Sequence, residues 1–345
     1  MRKNFTHTVD IDKIKELVCH YENVDSASAP LCKEAFDLLL GEGNFAEGNF
    51  AEGNFTKGNL DDVIALLDEA KLEKIETGAG GTDARILKAH FLELNNDIKK
   101  AEANYLKAVS ISPSLKNNLL LAKCYHDQRQ LSKAEKHYKH CLNQAKNPEE
   151  KVEVLNHLGI LQSDRIEYAK AEATYQEILK IQRDLVAVNP EKHLPYMAVT
   201  LNKLSVFNKG EQAEAYCREA LKIHQDLAAA NPQTYLPDVA TSFTLLATLQ
   251  RGRNEYTQAE VSYQEALKIQ RGLVAEDPIL HLSDMVMGIL SLALFYQKDM
   301  PNQEASEQYA KEVLSYQAKL EHSPIALPLI EIAKAVLEHW EAPTA

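Results

Sequence analysis

Paired cysteines are missing from this chain. Its five cysteines stand apart at positions 19, 32, 124, 141 and 217, with no Cys-x-x-Cys spacing. An odd, scattered set excludes a disulfide framework and points to a reduced, intracellular and cytoplasmic protein. Positive charge is also scarce: 38 Lys and Arg against 50 Asp and Glu leave a net charge of −12. That argues against nucleic acid as a partner, because phosphate binding needs a basic face. Long apolar runs are absent where targeting would need them. Met1, Arg2 and Lys3 are followed by polar residues rather than by the apolar core of an export signal. Residues 325–337 are interrupted by Glu331 and Lys334 and are too short to span a bilayer, so no membrane partner is expected. No G-x-S-x-G, H-E-x-x-H or Walker sequence occurs. The glycine-rich residues 77–82 lack the Gly-Lys-Ser/Thr ending of a phosphate loop and read as a linker. No catalytic residue and no cofactor are expected.

What the chain does have is repetition. Three segments are nearly superimposable. They begin at Tyr168, Gln212 and Tyr256, are aligned on Ala171, Ala213 and Ala259, and each runs through a Leu-Lys-Ile stretch. A fainter copy begins at Ala305. The steps are 42, 46 and 46 residues, and prolines at 190, 232, 278 and 324 keep the same steps. A fixed period of this size is the signature of a solenoid.

The N-terminal part is less regular. Ile11, Ile14, Leu17, Val18 and Tyr21 form one helical stripe, and a second helix is expected over residues 31–40, with Ala35, Leu38 and Leu39 inward. Four pentapeptides follow, beginning at Gly43, Gly48, Gly53 and Gly58. They fit either one coil of a pentapeptide β-helix or a duplicated helix-helix turn. A single coil has nothing to stack on, which favours the turn. One helix is expected from Leu60 to about Lys74, and Asp83 is placed to cap the next.

Ala101, Tyr105, Ala108 and Pro113 are spaced +4, +7 and +12, and Ala134, Tyr138 and Cys141 repeat the pattern. Twelve residues before the leading alanines lie small residues: Ala89, Ala122, Gly159, Ala247 and Ala293. This resembles the tetratricopeptide repeat (TPR), with a small residue on each of two helices, A and B. From Ala171 the proline comes at +19, which adds two turns to helix B and resembles kinesin-light-chain-like and bacterial arrays. The resemblance implies an all-α, right-handed α-solenoid of antiparallel helix pairs. Residues 1–82 would carry the irregular helices, 83–324 about six repeats, and 325–345 a capping helix and tail. The repeat containing Ser205 and Ala213 is four residues short between its small positions.

The same resemblance implies function. A TPR array is expected to be a non-enzymatic scaffold or adaptor that binds a peptide, a protein, or a second copy of itself. Alternatives are a regulatory subunit for a separate effector, or a helical nuclease. In TPR proteins helix A lines the concave face at −3, +1 and +4 from its small residue. Those positions here are Lys123, His126, Asn156, Ser163, Asn202, Thr244, Thr248, Arg251, Leu290 and Leu294. Asn156 and Asn202 would bond a partner's backbone, and Lys123 and Arg251 its carboxylates. Two competing constellations are set aside. Cys124, His126, His137, His140 and Cys141 cluster in one repeat, but a closed zinc site needs four convergent ligands, so no metal is expected. Arg218 and His224 have a spacing found in helical ribonucleases, yet i and i+6 diverge on a helix, and both are expected on a solvent face.

Overall fold

The computed structural model describes residues 28–40, 57–79, 81–320 and 326–341. Among the described residues there are helices and no strand. The chain is an all-α solenoid of consecutive helix pairs, divided into two compact units, Met1–Glu167 and Tyr168–Ala345. The amphipathic stripe from Ile11 to Tyr21 and the first three pentapeptides lie outside the described residues. The fourth pentapeptide, starting at Gly58, is helical.

The first unit comprises α1 (Ala29–Leu40), α2 (Lys57–Leu66), α3 (Glu69–Ala79), α4 (Asp83–Leu94), α5 (Ile98–Ile111), α6 (Leu115–Asp127), α7 (Leu131–Gln144) and α8 (Pro148–Asp164). Helix pairs α4/α5 and α6/α7 close on Ala89, Ala101, Ala122 and Ala134, all fully buried. Small side chains let the two helices approach, and the buried rings of Tyr105 and Tyr138 fill the space beside the crossing. In α1 the buried side chains are Cys32, Ala35 and Phe36, whereas Leu38 is exposed, contrary to the stripe expected for it. The single helix expected from Leu60 is two helices. Asp68 breaks it by accepting from the Lys71 N–H at 2.9 Å, an N-cap bond that starts α3. Asp83 is not a cap: Thr82 holds that position, and Asp83 pairs with Lys116 at 2.5 Å.

Arg85 is buried and ties α3 to α4 and α5. Its guanidinium donates to both carboxylate oxygens of Glu69 at 3.1 and 2.8 Å, to Glu76, and to Asn104 at 3.0 Å. Lys107 reaches the same Glu69. The Arg85 and Lys107 donors hold the Glu69 carboxyl down at about 2.

The turns between helices A and B share one backbone device. Asn96, Arg129 and Ile166 take left-handed φ of 60°, 59° and 62°. The next N–H folds back onto the helix: Asp97 on Leu92 at 2.8 Å, Gln130 on Tyr125 at 2.8 Å and Glu167 on Gln162 at 2.9 Å. Ile166, a β-branched residue, is strained there and is exposed.

The second unit comprises α9 (Tyr168–Val188), α10 (Pro190–Phe207), α11 (Gly210–Ala230), α12 (Pro232–Gly252), α13 (Tyr256–Glu276), α14 (Pro278–Lys298), α15 (Gln303–Ser315), α16 (Gln317–Leu320) and α17 (Ala326–Glu341). Helices α9, α11 and α13 have 21 residues, against 14 for α5 and α7. Pro190, Pro232 and Pro278 each open the next helix A, where the lost N–H would have no helical partner anyway. The side chain before each caps it: Asn189 accepts from Lys192, Asn231 from Thr234 and Asp277 from Leu280. The short repeat loses its four residues after Ser205, which is buried. Helix α10 stops at Phe207, and Gly210, at φ 62°, opens α11.

The last helix B departs from the expected register. Ser306, not Ala305, is fully buried, and its hydroxyl donates to the Ala293 carbonyl at 2.9 Å. Ala310 and Val313 complete that face, and the helix ends at Ser315 instead of running two further turns. Helix α17 covers the end through Ile330, Ala333 and Val336, with the Trp340 indole donating to Ser306 at 3.0 Å. Ile332 is exposed. The stretch Leu280–Lys298 of α14 is long and apolar enough by composition to cross a membrane, but half of it is buried in the unit's own core.

Candidate functional site

In the first unit, α6 and α8 bring two expected residues together. Lys123 and His126, one helical turn apart on α6, line an open cavity of about 480 Å³ with Asp127, Arg129, Tyr138, His157, Ile160 and Asp164. Asp164 accepts from Arg129 at 2.9 Å and lies 3.1 Å from the His126 ring. Lys123 forms no ion pair among the described residues. The Tyr138 hydroxyl is buried without a hydrogen-bond partner, under the stacked ring of His157 at 5.7 Å. Burial pushes that hydroxyl's pKa well above the ordinary tyrosine range, so it remains a proton donor.

Asn156 is half-buried on α8 and outside this cavity. Ser163 is half-buried too, and its hydroxyl donates to the Gly159 carbonyl at 2.9 Å. Arg129 and Asp164 were not anticipated. Both sit at the ends of helices A, where the repeat frame carries no assignment.

In the second unit two expected groove residues belong to the interior. Leu290 is a core side chain. Asn202 is buried and donates to the Ser242 hydroxyl at 2.8 Å, so its amide serves the α10–α12 contact. The −3 position faces the neighbouring helix rather than the open surface in these two repeats. Thr244 and Thr248 donate to the carbonyls of Ala240 and Thr244 at 3.0 and 2.9 Å. Such local bonds explain why polar residues recur at groove positions without any partner. Thr248 is exposed, Arg251 approaches Asp299 at 3.8 Å, and Leu294 packs partly against the core.

The other constellations do not converge. Arg218 is exposed and held by Glu214 at 2.8 Å. His224, expected at the surface, is fully buried with Nδ1 2.9 Å from the Ser242 hydroxyl. Burial lowers its pKa from the ordinary 6.5, partly opposed by Asp238. Cys124 accepts from Gln128, Cys141 lies in the core, and His140 is exposed. Burial raises the Cys124, Cys141 and Cys217 thiols to about 12.

Residues 82–115 and 115–148 match the tetratricopeptide repeat family model. No curated protein matches the chain by sequence. Solved structures that resemble it include a signal transduction ATPase with a tetratricopeptide repeat sensor from Pyrococcus horikoshii. That structure has a TM-score of 0.57 and 16% identity, over 91% of this chain and 50% of that one, so this chain spans half its length. The apo form of RapI has a TM-score of 0.54 and 12% identity over 96% and 98% of the two chains. A tetratricopeptide repeat protein from Parabacteroides merdae has a TM-score of 0.50 and 15% identity over 90% and 100%.

Proposed function

We propose that this chain, a tetratricopeptide-repeat protein, is a non-enzymatic scaffold that holds a protein or peptide partner on its helix A face. The observation that carries this reading is the Lys123 cavity. Lys123, which forms no ion pair among the described residues, His126 and Arg129 converge on it, with the carboxylates of Asp127 and Asp164 also on its wall. Such a set holds a carboxylate through charge-assisted hydrogen bonds. Asp164, gripped by His126 and Arg129, already occupies part of it from within the chain. Partner contact is therefore assigned to Lys123 and His126, with Thr248 and Arg251 as the open positions of the second unit. Asn202 and Leu290 are withdrawn from the contact set.

The divergence of Arg218 and His224 removes the basis for a nuclease reading. The net charge of −12 supports a protein rather than a nucleic-acid partner. Four buried, unpaired cysteines suit a reducing compartment, and the cytoplasm is proposed on that ground.

The test is partner retention by variants of the full chain in its native host. Substituting Lys123→Glu with His126→Ala should abolish retention, while Lys136→Glu with His140→Glu, on the outer side of α7, should leave it intact. The reverse pattern would overturn the assignment of the face.

A further inference from the structure

The long helices B of the second unit carry a polar residue eleven positions after their leading alanine: Gln182, His224 and Gln270. Ten positions after each proline, the following helices A carry Thr200, Ser242 and Gly288. At the α11–α12 joint the two series meet, His224 on Ser242. At the α13–α14 joint the side chain opposite is missing. The Gln270 amide lies across Gly288 so closely that a Cβ there would sit 2.2 Å from its Oε1. That oxygen is buried and accepts no hydrogen bond.

The missing side chain adjoins a cavity of about 340 Å³, walled by Pro237, Leu245, Leu273 and Met287. Thr241, Thr244 and Ser291 also line it, but each donates its proton to a carbonyl four residues back. Their hydroxyls are spent within the helices, whereas Gln270 Oε1 and the His281 ring, which also lines the cavity, keep unused hydrogen-bonding capacity. At the mouth stands Asp284, exposed and without an ion pair among the described residues. The volume lies at the lower end of the range for ligand sites. It suits one aliphatic side chain with its peptide group rather than a large cofactor.

We propose that this pocket anchors a leucine-sized aliphatic residue of a partner segment, with a lysine or arginine beside it. The aliphatic chain fills the space between Leu245, Leu273 and Met287. The segment's backbone N–H donates to Gln270, and its cation faces Asp284. An acidic neighbour is repelled at the same carboxylate. This rests on reading the chain as a scaffold for protein segments, but it adds a second contact with opposite charge preference to the Lys123 cavity.

The experiment uses the full chain with labelled leucine and methionine methyl groups, observed by NMR. The probes are four blocked tetrapeptides, Ala-Leu-Lys-Ala, Ala-Ala-Lys-Ala, Ala-Leu-Gln-Ala and Ala-Leu-Glu-Ala. The Leu-Lys peptide should shift the methyls of Leu245, Leu273 and Met287. Replacing its leucine by alanine should weaken binding about tenfold or more, and replacing its lysine by glutamate should weaken it further than glutamine does. Gly288→Ser drives the flexible end of Gln270 into the pocket and should abolish the shifts. Met287→Trp, at an exposed site, blocks the mouth and gives the same readout should the serine variant fold poorly. Asp284→Asn should weaken the Leu-Lys peptide about threefold and leave the Leu-Gln peptide unchanged.

Absent shifts, equal binding of the alanine peptide, or binding that survives both blocking variants would each overturn the proposal. So would dimerisation through this face, seen as loss of a wild-type dimer on Met287→Trp without any peptide response. These shifts are read without a natural partner, so they stand or fall separately from retention through Lys123.

Discussion

His224 and Ser242 meet inside the second unit, 2.9 Å apart, and the same hydroxyl accepts from Asn202 at 2.8 Å. One serine thus joins three consecutive helices: α10, α11 and α12. Ser242→Ala strands two buried polar groups at once. A cost of about 1–3 kcal/mol follows from leaving a buried group unsatisfied, read as a lower denaturation midpoint at unchanged helicity. Ser242→Thr should recover part of it.

The buried imidazole also sets a pH dependence. Its folded pKa lies below the ordinary 6.5, so the unfolded chain takes up the proton first. Its contribution is complete above pH 6.5 and is lost as pH falls from there through the folded value. His224→Gln copies what the equivalent sites, Gln182 and Gln270, already carry. The melting temperature of that variant should fall less between pH 7 and pH 5 than that of the unsubstituted chain. Parallel curves would show that His224 titrates alike in the folded and unfolded chains, and would refute this role.

Acid acts on the first unit at a lower pH. Glu69 is held at about 2 by Arg85 and Lys107, against an ordinary 4.5, so its contribution is lost as pH falls from 4.5 towards 2. Glu69 is half exposed, and solvent screening keeps its share small. Arg85 itself is nearly inaccessible. Arg85→Ala leaves Glu76 buried beside no cation and should cost about 3–5 kcal/mol. Loss of the α3 contacts would appear as fast amide exchange in α3 while α6 and α7 stay protected. Uniform protection across the unit would refute this role.

Ile166 holds a backbone conformation that Asn takes at 96 and 254. Ile166→Asn should raise stability by about 1 kcal/mol by relieving the left-handed strain. Thermal denaturation measures it. A drop would mean that the exposed isoleucine contributes a contact that outweighs its strain.

Helix α17 covers the last repeat, and its removal should expose Ala293, Ala310 and Val313. A chain ending at Ser323 is expected to aggregate or self-associate, visible by size-exclusion chromatography. A monodisperse truncation of unchanged melting temperature would show that α17 is no cap.

The alanine spacing made most of this fold legible, because only small residues tolerate the helix crossing and their period survives every other change. The errors fell where local chemistry overrides the period. Asp68 stops a helix that apolar spacing would continue. In α15 a serine bonded to the Ala293 carbonyl takes the alanine's place, and the register slips by one. The Lys123 cavity was half visible: Lys123 and His126 follow the repeat frame, whereas Arg129 and Asp164 come from turns that the frame ignores. Asn202 misled because its position alone does not say whether the adjacent helix offers an acceptor. The Gln270 pocket did have a signal, a glycine at 288 where earlier repeats have threonine and serine. It becomes readable only once the second polar series is noticed.

The added length of α9, α11 and α13 has a mechanical meaning. Two rods that touch at one crossing can swivel about it. Rods that also touch further along, as α11 does where His224 reaches Ser242, resist that rotation. The second unit therefore has stiffer joints than its alanine contacts alone would give. Where Gln270 meets only the Gly288 backbone, the α13–α14 joint has this second touch without the side-chain hydrogen bond that fixes the α11–α12 joint, and a partner bonded to Gln270 would be held at the point where that bond is missing.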